Sequence, residues 1–280
     1  MAADSILVVQ NDPSDPVGVL GDWLTEAGAT LEICTAFAGD ELPAKVDDLG
    51  GVLVLGAGVS AMDDARAPWL PAVRGLLRDA LAREVPTLGV CLGAQLLAVV
   101  AGGRVGPNPD GPEFGAQLVA KRAAAATDPL VGPLPITPDV LQWHQDAITA
   151  LPPGATLLAT SPICEVQAFR VGRLAWGVQF HIETTPATVR AWADEDAGLL
   201  ADYDVSELLV RTDAVHPDIA ETWRPFAARF VAVVRDPSAV RPPRPIVASR
   251  SEPITDPAQI RAALAAQMHA ARGHGVPPDG

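Results

Sequence analysis

The chain has 280 residues, 49% of them hydrophobic, with 20 Lys and Arg against 34 Asp and Glu, a formal net charge of -14 and a pI near 4.6. That length can bury a sizeable core as one large α/β domain with an appendage. The acidic balance argues against nucleic acid, whose binders need Lys and Arg to displace counterions from phosphate, and no apolar run reaches the length of a membrane span.

In chain order, Ser5 to Gln10 (SILVVQ) reads as a buried strand, and PVGVLGDWLTEAGA has helical apolar spacing that ends near Gly28, before a short strand, TLEIC. GVLVLGAG, Gly51 to Gly58, is a second apolar strand that runs into a Gly-rich turn. PWLPAVRGLLRDALARE is an amphipathic helix leading to the strand PTLGV, and LGAQLLAVVA opens a further helix. Strands alternating with helices imply a flavodoxin-like, doubly wound, mostly parallel sheet.

From about Ala116 to Val178 the pattern changes to short strand-like runs (AQLVA, DVLQW, TLLAT, EVQAFR, LAWGVQF) between Pro- and Gly-rich turns, read as antiparallel additions to that sheet. Thr185 and Pro186 form an N-cap and first helical residue for PATVRAWADEDAGLL. The expected division is a main domain over 1–200, its helical C-terminal part over 201–235, and a Pro-rich strap with a terminal helix over 236–280.

Cys34, Cys91 and Cys164 are widely spaced with no CxxC pair, which suits reduced thiols in the cytoplasm and argues against a disulfide framework or a structural zinc site. The N-terminal ten residues lack the features of a secretory signal. Of the three thiols, Cys91 is distinct. It falls where PTLGV becomes LGAQLL, and Gly89 and Gly93 around it make G-x-C-x-G, a cysteine form of the nucleophile elbow. Ligands of such sheets bind beyond the carboxyl ends of the strands, where the start of a helix also favours negative charge. The alternative is a cysteine packed as a small apolar residue.

A nucleophile needs a base. His181 closes the apolar run AWGVQF with Glu183 two residues on, a spacing that turns both side chains to one face of an extended segment. His216, His269 and His274 lie in the C-terminal helical and tail regions, where solvation is expected.

GVCLGAQLLA together with WGVQFHIE resembles the class I, or triad, glutamine amidotransferases, most of all stand-alone GMP-synthetase-like glutaminase domains through GVLVLGAGVSAMDDARAPWL, WHQD and VQAFR. The resemblance covers roughly Ser5 to Ala197 and implies that family's fold. It implies Cys91 as nucleophile, His181 as general base and acid, and Glu183 as the residue that holds it, with the substrate glutamine and no metal or cofactor. It also implies backbone oxyanion donors at Ala57 and Leu92. Gly56, Gly58, Gln95, His144 and Gln145 would line the substrate site, with His144 otherwise bonded within its loop.

Two departures stand out. Where the family commonly has Gly-Gly-Pro, this chain has Gly56, Ala57 and Gly58, and a positive φ at Ala57 would cost of order 1 kcal/mol or more. His-Ile-Glu also replaces His-Pro-Glu. No phosphate loop of a synthetase is present, so an acceptor or partner synthetase in trans would receive the ammonia. Two other functions stay open: a γ-glutamyl amide or peptide hydrolase on the same scaffold, and a catalytically weak binding module.

Overall fold

The computed structural model describes residues 4–43, 45–46 and 49–241. The Pro-rich segment past Arg241 and the terminal helix expected from Asp256 lie outside these residues. In chain order come β1 (Ser5–Gln10), α1 (Gly18–Glu26), β2 (Thr30–Thr35), β3 (Gly51–Val54), α2 (Leu70–Ala82), β4 (Thr87–Val90), α3 (Leu92–Val100), β5 (Arg104–Pro107) and β6 (Glu113–Leu118). They are followed by β7 (Ala120–Lys121), β8 (Asp139–His144), β9 (Asp146–Ala150), β10 (Thr156–Thr160), β11 (Ala168–Val171), β12 (Ala175–Val178), α4 (Pro186–Glu195) and α5 (Val205–Arg235).

Eight strands form one sheet in the order β2-β1-β3-β4-β12-β11-β10-β7. The pairs from β2 through β12 are parallel, and β11, β10 and β7 extend the sheet antiparallel. Side chains of β1 alternate between two cores, as the two-residue period of a strand requires. Ile6 and Val8 face α1, α4 and α5 through Leu20, Trp23, Val189, Phe226 and Phe230. Leu7 and Val9 face α2 and α3 through Leu76, Leu77, Leu96 and Leu97. Both faces of the parallel strands are therefore covered, which explains why their sequences are continuous apolar runs.

The expected antiparallel additions are only partly in that sheet. Ala116 to Leu118 of AQLVA lie in β6 and DVLQW in β8, which form their own two-stranded sheet, while Ala120 begins β7 of the main sheet; β5 pairs with β9 in another two-stranded sheet. Neither β5 nor β9 has the alternation that would announce a strand; each is defined by its partner. The expected N-cap is present: Thr185 Oγ1 accepts from Thr188 N at 3.1 Å, and Pro186 opens α4, which ends at Glu195 instead of running on to Leu200.

The 31-residue α5 lies against α1, α4, β6 and β8. Trp223 Nε1 donates to the carbonyl of Asp139 in β8 at 2.9 Å. No helix among the described residues is long and apolar enough to cross a membrane. Because Phe230 is fully buried in the core beneath α5, Phe230→Ala is expected to cost about 3–5 kcal/mol, read from urea unfolding. A loss below about 1 kcal/mol would mean that α5 does not belong to the core.

Candidate active site

The carboxyl ends of β1, β3, β4 and β12 lie at one edge of the parallel sheet, and each hands over to a segment that carries part of the site. Cys91 follows β4 and is the N-cap of α3, at φ 50° and ψ -111°. Only Glu84 shares a positive φ among the described non-glycine residues. The Cys91 N–H donates to Val178 O of β12 at 2.9 Å, and the Cys91 carbonyl accepts from Gln95 N at 3.0 Å. The first turn of α3 presses so closely on β3 that a β-carbon on Gly93 would stand 2.0 Å from the carbonyl oxygen of Val54. Glycine at this position of the G-x-C-x-G pattern therefore permits the close approach.

His181 and Glu183 follow β12. The strand ends at Val178, so the pair does not continue it; instead His181 forms a β-bridge with Leu141, donating N–H to its carbonyl at 2.8 Å. His181 Nδ1 lies 2.5 Å from Glu183 Oε1, and Glu183 Oε2 accepts from the Ile182 N–H at 2.8 Å. The Glu183 carbonyl accepts from Val19 N at 3.0 Å, which anchors this segment to α1. Both side chains are buried, and with Nδ1 on the carboxylate the other ring nitrogen is left for Cys91. Burial opposes a charged imidazole, yet the Glu183 carboxylate and the interaction with Cys91 outweigh it, holding the His181 pKa well above its ordinary 6.5.

The other two thiols differ. Burial raises Cys34, and burial with Glu113 nearby pushes Cys164 up to about 12, so neither is a ready nucleophile. Glu113, His144 and Cys164 place three ligand-type atoms within 4.8 Å of one another. The Glu113 carboxylate is already filled by Ser161 Oγ at 2.8 Å, Gln167 Nε2 at 2.6 Å and His144 Nε2 at 3.1 Å. These hydrogen bonds make the cluster a buried polar network around one carboxylate.

Its role is to hold the end of β8. His144 engages both ring nitrogens, Nε2 on Glu113 and Nδ1 on the carbonyl of Asp146 at 2.9 Å, which makes it a loop-shaping residue. Gln145 beside it is exposed and lines a cavity of about 280 Å³ with Arg66, Gln95 and Cys91. Gln95 donates to the carbonyl of Asp146 at 3.1 Å and to Gln179 Oε1 at 3.2 Å, while Gln179 Nε2 lies 3.7 Å from Cys91 Sγ. A chain of amides thus joins the β8–β9 corner to the thiol.

Ala57 and Gly58 follow β3 and line the space around Cys91. Ala57 does not adopt a positive φ, so the expected strain is absent. Leu92 is the first residue of α3, where a backbone N–H has no acceptor within the helix. A β-carbon on Gly56 would stand 2.8 Å from Asp15 Oδ2, 3.2 Å from His181 Cε1 and 3.5 Å from Cys91 Cβ. Glycine is needed there because three functional groups converge on one point.

Asp15 was not foreseen from the sequence, nor were Trp192, Glu195 and Asp196. With Cys91 and His181 they line a second cavity of about 140 Å³. His181 packs edge-on to Trp192 at 4.8 Å between ring centroids, and Trp192 lies 5.7 Å from Trp143. Only the pair of short acidic residues in NDPSD hinted at this wall. His216 also departs from expectation: it is half-buried, bonded through Nδ1 to Thr212 O at 2.7 Å and through Nε2 to Thr184 Oγ1 at 3.3 Å.

Burial lifts Asp15 to about 7 from an ordinary 3.8, with His181 pulling the other way. The folded state therefore holds a proton that the unfolded chain releases above pH 4, so Asp15 costs stability as pH rises from 3.8 to 7. Asp15→Asn is expected to raise unfolding stability at pH 8 by roughly 2–4 kcal/mol and to leave it unchanged near pH 3.5. Denaturant titrations at the two pH values check this, and an equal effect at both would refute it.

A family model described as Glutamine amidotransferase class-I matches residues 26–191. A glutamine-hydrolyzing GMP synthase subunit of Halobacterium salinarum is 40% identical over 144 residues, 50% of this chain and 69% of that protein. Gamma-glutamyl peptidase 3 of Arabidopsis thaliana is 28% identical over 143 residues, 49% of this chain and 56% of its own. A glutamine amidotransferase structure from Thermotoga maritima superposes with a TM-score of 0.74 at 27% identity, covering 82% of this chain and 99% of that one. With the elbow, the sheet order and the matched model in agreement, the chain belongs to the class I glutamine amidotransferase family.

Proposed function

We propose that this protein is a cysteine-dependent C–N hydrolase that cleaves the side-chain amide of a γ-glutamyl compound through a thioester on Cys91. The observation that carries this is the convergence on one point of the strained Cys91, the Glu183-bonded His181 and the Gly56 turn. The sulfur attacks the γ-carbonyl carbon, a C–S bond forms, and the carbonyl electron pair moves to oxygen, facing the N–H groups of Leu92 and Ala57. The adduct collapses with cleavage of the C–N bond as His181 gives its proton to the leaving nitrogen. Water then loses a proton to His181 and adds to the thioester, the C–S bond breaks, and glutamate departs. Glu183 keeps the ring oriented and supports its charge throughout.

Two substrates fit this chemistry. Glutamine, with ammonia passed to a synthetase in trans, is supported by the similarity to the Halobacterium GMP synthase protein. A substituted γ-glutamyl amide is supported by the similarity to a γ-glutamyl peptidase and by the cavity beyond His181, which reaches Ser14 and Glu195. Ammonia needs no such space, so we favour the substituted amide. Arg66 in the wider cavity suits the α-carboxylate of the glutamyl group in either case.

Cys91→Ala is expected to abolish amine or ammonia release, and Glu183→Gln to lower kcat by roughly 100-fold or more. Intact-protein mass spectrometry during turnover should show a γ-glutamyl adduct that is lost in Cys91→Ala. If glutamine and simple γ-glutamyl amides are neither turned over nor trapped as an adduct, the amidase reading fails.

A further inference from the structure

Two cavities meet at Cys91 and share Asp196. The wider one holds Arg66, Gln95, Gln145 and Asp146 besides. The other contains His181, and Asp12, Asp15, Glu195 and Asp196 line it with no Lys or Arg. Since a protonated imidazole must reach the departing nitrogen, the leaving group belongs on the His181 side, inside the acidic cavity.

Asp15 sets this lining apart from an ordinary acidic surface. It is 7% exposed and opens into the cavity, and no donor among the described residues bonds to its carboxyl oxygens. A buried carboxyl without a hydrogen-bond partner is costly, and a ligand that donates to it and supplies positive charge offsets that cost. Burial drives Asp15 to about 7 against the pull of His181, with Glu183, Asp12 and Glu195 adding to the rise. The neighbouring carboxylates are held in place: Asp12 Oδ1 by Ser14 N at 2.9 Å, and Asp196 Oδ2 by Trp143 Nε1 at 2.8 Å. Trp192 Nε1 donates to Ser14 O at 2.9 Å, so both indoles are fixed as walls of this cavity. Indole faces accept alkyl chains and cations.

From this arrangement we propose that the leaving amine carries a second positive charge. The substrate is the γ-glutamyl amide of a diamine or polyamine, its methylenes against Trp143 and Trp192 and its distal ammonium among Asp15, Asp12, Glu195 and Asp196. The inference rests on the amidase reading above. The reaction balances as hydrolysis: the C–N bond breaks, water supplies the hydroxyl to the acyl carbon and a proton to nitrogen, and glutamate and the free diamine leave.

The test compares γ-glutamyl-(4-aminobutyl)amide with γ-glutamyl-n-pentylamide, which has the same chain length but a methyl in place of the ammonium. In the wild type, kcat/KM for the cationic amide is expected to exceed that for the neutral one by roughly tenfold or more, the preference shrinking with added salt. Asp15→Asn should bring the ratio to within about threefold of unity, and the exposed Glu195→Gln, a variant with little risk to folding, should lower it by about twofold. Calorimetry on Cys91→Ala provides a reading free of turnover: 1,4-diaminobutane should bind more tightly than n-butylamine. Equal kcat/KM for the two amides, a ratio unmoved by both substitutions, or equal binding of the two amines would overturn the proposal. In those cases hydrolysis of both amides would leave the amidase reading intact. No turnover of either amide and no adduct on Cys91 would bring down both.

Discussion

Cys91 sits at φ 50° and ψ -111°, a conformation that costs a residue with a β-carbon of order 1–3 kcal/mol, and the rest of the site depends on what holds it there. Three restraints do so. The Cys91 N–H is bonded to β12, its carbonyl accepts the first bond of α3, and Gly93 lets the turn press against the Val54 carbonyl of β3. The strain persists because β3, β4 and α3 are almost wholly buried, so relaxing the turn would disrupt packing on both faces of the sheet.

The same sheet explains how distant residues meet. Parallel strands place every strand's carboxyl end at one edge, and β1, β3, β4 and β12 are consecutive neighbours there. Asp15, Gly56, Cys91 and His181 come one from each, and the three side chains approach the position of a Gly56 β-carbon to 2.8–3.5 Å. The β6–β8 pair adds the remaining wall. Glu113 gathers Ser161, Gln167 and His144 around one carboxylate, which fixes the corner at Gln145 and carries its position to the thiol through Gln95 and Gln179. Two cavities, one reaching Asp12, Asp15 and Glu195 and the other Arg66 and Gln145, then share Cys91.

Much of this is legible in the sequence, and the legible parts share a cause. The parallel strands announce themselves as continuous apolar runs because both of their faces are covered, and α4 by a Thr-Pro start that is local chemistry. Cys91 with its flanking glycines is readable because the strained turn needs small neighbours at fixed spacings. His181 and Glu183 are readable because their bond spans only two residues. β5 and β9 escape such a reading because their pairing partners lie about forty residues away and neither carries a pattern of its own. Nor can composition give the backbone angle of Ala57, which avoids the positive φ that a second glycine would have permitted.

The sequence by itself determined the sheet class, the elbow, and the candidate cysteine and histidine, because each of these is written in residues close together along the chain. Only the tertiary structure decided what surrounds them. Asp15, Trp143, Trp192 and Asp196 are scattered along the chain and signal nothing singly. They form one acidic, aromatic-walled cavity solely because β1, β8 and α4 end beside the same sulfur. Burial, which lifts Asp15 despite the nearby His181 and encloses His181 with Glu183 and Cys91, is a property of that assembly and has no counterpart in any local stretch of residues.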